Sequence, residues 1–211
     1  MPDLRVQNLT KRYSVGPNII DDLTYTFSSG KVYSFAGKNG SGKTTLLHLL
    51  TVFSFPTSGE VLWGGSNIHK KPRPFFKESG FVVPALHLPE ELSLDELVEW
   101  RTSSLGITGN EEYIAELYEK LNFDERSAQP LSTYSSGMRR KAELITAICT
   151  KPKVLLLDEP FETLDDDSRI QLQHLLEDLK QNGTLIILAT HLHDSYVDLV
   201  DETLEFPIGG D

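Results

Sequence analysis

The sequence predicts an α/β fold: a parallel sheet covered on both faces, an antiparallel β-layer near the N-terminus and a helical insert at about 85–149. Three observations carry this. Short apolar runs, "VYSFAG" (32–37), "KVLLLDEP" (153–160) and "TLIILATH" (184–191), have the length and continuity of strands buried on both faces. Stretches of helical periodicity alternate with them, which is the order of a parallel sheet with crossover helices. Between about 85 and 149 the alternation stops, and helical patterns follow one another with no clear strand.

Taken in chain order, "LRVQNLT" and "LTYTFSSG" alternate polar and apolar residues and read as half-exposed antiparallel strands. "GKTTLLHLLTVF" (42–53) has a helical period. "HKKPRPFFK" (69–77) reads as a solvated basic loop, because Pro72 and Pro74 break helix and sheet alike. Helical patterns recur at 93–104, 111–121 and 136–149. A last one, "DSRIQLQHLLEDLKQN" (167–182), is stopped by Gly183. One domain over 1–211 is expected, with a core of 1–84 and 150–211.

Composition narrows the function. A net charge of −11 argues against a nucleic-acid partner, which needs a surplus of Lys and Arg on one face. The single cysteine, Cys149, sits in an apolar run and reads as a buried thiol, which suits a reducing compartment. The N-terminal "MPDLRVQNLTKRY" has no apolar signal core, and "VLLL" and "LIILA" are far below membrane-spanning length. A soluble chain is expected, brought to any membrane by something else.

"GKNGSGKTT", Gly37-Lys38-Asn39-Gly40-Ser41-Gly42-Lys43-Thr44-Thr45, fits the phosphate-binding pattern G-x-x-x-x-G-K-[ST] between an apolar strand and a helix. Its glycines let consecutive N–H groups curl around phosphates, with the helix N-terminus adding positive potential. Lys43 would reach the β and γ phosphates of ATP, and the Thr44 hydroxyl would ligate Mg²⁺. Asp158 ends an apolar strand where a carboxylate could hold Mg²⁺ or its water. Glu159 follows it and could polarise an attacking water. His191 closes another buried strand, 32 residues after Glu159, and could contact the γ-phosphate. "LSTYSSGMRRK" (131–141) has the form of an N-capped helix start, and equally of an anion site.

These motifs in this order resemble the ATP-binding subunits of ABC transporters over nearly the whole chain. "GKNGSGKTT" resembles the family's Walker A motif, "VLLLDEP" its Walker B, "ETLD" (162–165) its D-loop and His191 its switch histidine. Tyr13, 24 residues before Gly37, looks like the aromatic residue that stacks on adenine. "YSSGM" (134–138) resembles the signature motif, with Ser135 and Gly137 in their family positions, Ser136 replacing a glycine and Met138 a glutamine.

The resemblance implies a P-loop ATPase, with ATP and Mg²⁺ as cofactors and Glu159 and His191 as catalytic residues. It implies a head-to-tail dimer, expected to be a homodimer, in which Ser135 and Gly137 cover ATP held by the other subunit. Integral membrane permease subunits would be partners, and the location would be cytoplasmic, peripheral on the inner face of the cell membrane. The "YSSGMRRK" form looks most like subunits that serve separate exporter-type permeases. A groove around Phe81, Leu86, Leu88 and Trp100, part core and part surface, would receive a short permease helix.

One position departs from the pattern. Pro84, in "SGFVVPALHLPEELS", stands where the family carries a glutamine that touches Mg²⁺ and the attacking water. Slow or differently coupled hydrolysis is expected. Two alternatives remain open: a soluble ABC-type ATPase, and a low-turnover ATP switch not coupled to transport.

Overall fold

The structure is a computed structural model and describes residues 2–14, 16–84, 86–123, 125–190 and 197–208. Two sheets form its frame. The antiparallel one contains β1 (Leu4–Lys11), β2 (Ile20–Phe27), β4 (Ser58–Trp63) and β5 (Ser66–Asn67), in the order β2-β1-β4-β5. The parallel one contains β3 (Val32–Ala36), β6 (Ser79–Val82), β7 (Val154–Asp158), β8 (Leu185–Ala189) and β9 (Glu202–Glu205), in the order β6-β7-β8-β3-β9. β3, β7 and β8 are buried at every residue, as their unbroken apolar runs require.

The two-residue period of these strands sorts their side chains between two cores. Tyr33, Phe35, Leu156 and Ile187 face the antiparallel layer and α1 (Lys43–Leu50). Here the Phe27 and Tyr33 rings meet edge to face, with centroids 5.0 Å apart. Val32, Leu155, Leu157, Ile186 and Leu188 belong to the opposite core. That core is closed by α3 (Leu94–Leu105), α4 (Glu111–Lys120), α5 (Ser136–Ile148) and α6 (Asp166–Gln181). Cys149 is buried in it, and burial pushes its thiol up to about 11. α6 is capped at Asn182, followed by Gly183 in the left-handed region.

One expectation is corrected. "HKKPRPFFK" contains a short helix, α2 (Pro72–Lys77), rather than only loop. Both prolines fall in its first turn, where the backbone N–H groups have no intrahelical partner to lose. Phe75 anchors the helix, with its ring centroid 5.9 Å from those of Trp63 and Phe81. β4 and β9 are strands that the apolar runs did not mark. β9 lies at a sheet edge and alternates between half-buried and exposed residues, so it needs no apolar run.

Candidate active site

The site grows from the carboxyl edge of the parallel sheet. Phe35 of β3 and Asp158 of β7 both pair with Ala189 of β8, so three strand ends lie level. The chain leaves β3 into Gly37–Gly42, where Gly37, Gly40 and Gly42 have φ of 150°, 80° and 111°. Gly42 caps α1 from the left-handed side, and a Cβ there would stand 3.0 Å from the Ile19 side chain. Lys43 begins α1 and is only 9% exposed. Its ammonium donates to the carbonyl oxygens of Gly37 (2.7 Å) and Lys38 (3.1 Å), which folds it into the curl of the loop. Lys38, Asn39 and Gly40 are exposed, Thr45 is half-buried, and Ser41 holds a buried hydroxyl with no hydrogen-bond partner.

Asp158 is 6% exposed. Burial holds its carboxyl above the usual range, and the neighbouring Glu159 charge adds to this. A hydrogen bond with the Thr44 hydroxyl acts in the opposite direction. Thr44 and Asp158, both expected around Mg²⁺, are therefore in contact. Glu159 turns out of the strand with φ 48°, an unusual conformation for a residue with a side chain, and its amide donates to the Ala189 carbonyl at 2.8 Å. His191 lies outside the described residues, two positions past Ala189. The donor set fits a nucleotide and its metal: a curl of glycine backbone, one buried ammonium, an orphaned hydroxyl and a threonine–carboxylate pair at one edge.

Tyr13 is 48% exposed on the loop after β1. The Lys11 ammonium lies 4.6 Å from its ring centroid and so takes one face of the ring.

Ser135 is the N-cap of α5, its hydroxyl accepting from the Met138 amide at 3.3 Å. A Cβ on Gly137 would approach the Thr163 carbonyl to 3.1 Å, and the Thr163 hydroxyl reaches the Ser136 carbonyl at 3.4 Å. "YSSGM" and "ETLD" thus touch within one chain, a contact that spacing could not reveal. These hydrogen bonds of Ser135 and Thr163 stay within that pair of motifs and do not reach Gly37–Thr45. The cations after Gly137 are partly neutralised: Arg139 pairs with Glu90 and Arg140 with Glu143.

β6 pairs Val82 with Leu157, so its register, continued by two residues, sets Pro84 level with Glu159. The Leu86 amide donates to the Val83 carbonyl at 2.9 Å, closing a turn with Pro84 at its second position, where a fixed φ is favoured. Beyond it lies an apolar groove of about 490 Å³, lined by Phe81, Leu86, Leu88 and Trp100 among others. Phe81 and Leu88 are half-buried, whereas Leu86 is exposed and Trp100 is 64% exposed. Two polar groups at the groove escaped sequence reading. Arg101 donates to the Ser79 carbonyl at 2.8 Å, and burial raises the Glu143 carboxyl against the pull of Arg140.

Comparison with known proteins agrees with this geometry. Residues 20–162 match the family described as ABC transporter. An uncharacterized ABC transporter ATP-binding protein, YybJ of Bacillus subtilis (strain 168), is 29% identical over 206 residues, covering 98% of this chain and 93% of its own length. A second from the same organism, YhcH, is 34% identical over 191 residues, covering 90% of this chain but 62% of its own length. A solved structure titled as an ATP binding subunit of an ABC transporter superposes with a TM-score of 0.90 at 23% identity, over 96% of this chain and 85% of that one. Among the described residues no helix is long and apolar enough to cross a membrane. The chain belongs to the ABC transporter family and carries its ATP-binding ATPase domain.

Proposed function

We propose that this chain energises transport through a separate membrane permease of exporter type, working as a head-to-tail dimer with ATP sandwiched between subunits. The observation that carries the reading is the separation of two half-sites. The phosphate loop is complete at one edge of the sheet, while Ser135 and Gly137 open α5 without contacting it. Each half then needs the other half of a second copy, and two ATP molecules join the pair.

In this reading Lys43 and the amides of Gly37–Thr45 hold the phosphates, and Tyr13 stacks on adenine with the face that Lys11 leaves open. Thr44 and Asp158 would hold Mg²⁺, which would neutralise phosphate charge. Glu159, swung out of the strand by its left-handed backbone, orients the water and accepts its proton. His191, two positions past Ala189 in the sequence, contacts the γ-phosphate. The apolar groove receives a permease helix, which keeps the chain at the inner face of the cell membrane. The domain is one unit, with a core of 1–84 and 150–211 and the insert between them.

The test uses the chain carrying Glu159→Gln, in light scattering coupled to size-exclusion chromatography with Mg-ATP. A dimer that forms with ATP and is lost on adding Ser135→Arg supports the sandwich. Because that change also removes the α5 cap, melting temperature is measured alongside it. A chain that binds ATP yet stays monomeric overturns the homodimer.

One observation favours a second reading, a low-turnover ATP switch: Pro84 has no side-chain ligand where the family places glutamine. Water can complete Mg²⁺ coordination there, so hydrolysis persists but is slow.

A further inference from the structure

The chain carries a net charge of −11, and many of its cations are paired with carboxylates. At least eight of its twenty Lys and Arg form ion pairs, among them Lys153 with Glu78 and Lys31 with Glu202. The turn leading into α2, and α2 itself, gather four cations with no carboxylate among them. No Asp or Glu occurs between Glu60 and Glu78, and that interval holds Lys70, Lys71, Arg73 and Lys77. All four are exposed, and none makes an ion pair among the described residues.

Their arrangement is directional. Arg73 and Lys77 lie one helical turn apart, with Phe76 beside them on the same face. Phe75, on the opposite face, is buried and holds the helix down. Phe76 is 39% exposed, and its ring lies 6.0 Å from that of Phe81, a lining residue of the apolar groove. At the other end of the strip Phe55, 62% exposed, lies tilted against His69 with ring centroids 5.5 Å apart, next to Lys70. Unpaired cations flanked by exposed aromatic rings, continuous with the groove, form a composition suited to a charged membrane interface.

We infer that the strip from His69 to Lys77 rests on anionic lipid headgroups beside the permease. This rests on the proposed membrane location of the groove. The rest of the acidic surface is repelled by an anionic leaflet, so the strip also orients the chain, groove side toward the membrane. Lipid is favoured over an acidic protein segment because the cations share their face with an exposed ring that can enter the headgroup region.

The experiment is flotation of the purified full chain with vesicles of phosphatidylcholine plus phosphatidylglycerol, with phosphatidylcholine alone as neutral control, at low and high salt. Binding is expected only to the anionic vesicles and is expected to weaken with salt. Lys70→Gln, Lys71→Gln, Arg73→Gln and Lys77→Gln each weaken partitioning about fivefold, and together on the order of several hundredfold. ATP binding and basal hydrolysis are unchanged in the combined variant, which shows that it folds and keeps the nucleotide reading separate. Equal binding to both vesicle types, no binding to either, or wild-type partitioning by the combined variant overturns the inference. Loss of permease association by that variant in neutral detergent, without lipid, assigns the strip to an acidic protein segment and also overturns it.

Discussion

The nucleotide edge and the apolar groove lie at the ends of neighbouring strands, yet they are built on opposite principles. At the nucleotide edge charge is buried: Lys43 and Asp158 are each exposed by less than a tenth, and their polar atoms are met by backbone carbonyls and a threonine. At the groove apolar surface is left in water, with Trp100 exposed by nearly two thirds. Each is a cost in the isolated chain, of desolvated charge in one case and hydrated hydrocarbon in the other. In the proposed function each is repaid by a different binding partner, phosphate and metal at the edge and an apolar helix at the groove.

Substitutions can break this comparison. The largest effect is expected from Asp158→Asn. Hydrolysis should fall about 10²–10³-fold, while the melting temperature rises by roughly 2–4 °C. The sign follows from its raised carboxyl, whose charged form is penalised by folding. Wild-type stability therefore grows as pH falls through the folded value toward the ordinary one, and the gain is absent at neutral pH. Asn removes both the penalty and that pH slope, which thermal melts across acidic pH would measure. A fall in melting temperature at neutral pH would mean that the carboxylate supports the fold.

Trp100→Ala tests the other side. It should weaken permease association about thirtyfold, as an interface anchor would, yet leave the isolated chain's stability within about 0.5 kcal/mol. Pull-down titration and chemical denaturation give the two numbers, and a large loss of stability would make Trp100 a core residue instead. Gly80→Ala probes the joint between the regions. A Cβ there would stand 2.2 Å from the Ala147 carbonyl, so β6 and α5 must part, at about 1–3 kcal/mol by denaturation. The smallest effect is expected from Pro84→Gln, a rise of about threefold in steady-state turnover, of the size one added hydrogen bond allows. Unchanged turnover would detach this position from catalysis.

How much was legible in the sequence also differs between the two regions. The nucleotide edge is encoded in contiguous segments, Gly37–Thr45 and Val154–Glu159, whose backbone conformation follows from their own glycines and apolar runs. The groove is assembled from three distant stretches, around Phe81–Leu92, Leu97–Arg101 and Glu143–Ala147, so its shape and its polar floor appear only in three dimensions. The same holds for the contact of Gly137 with Thr163. α2 was missed for a local reason: prolines signal a break everywhere except in a first turn. β9 was missed because an edge strand such as "ETLE" only half-buries alternate residues and so carries no apolar run.

The tight crossing at Gly80 has a mechanical meaning. α5 is a rod of thirteen residues, about 20 Å long. Its leading end carries Ser135, and its trailing half supplies Glu143, Thr146 and Ala147 to the groove wall. Pinned against β6 near Ala147, it has a fulcrum close to the groove and a long arm toward Ser135. A small displacement at the groove would thereby be magnified at the far tip, and in the proposed sandwich closure around ATP, working on the long arm, would deliver force near the groove.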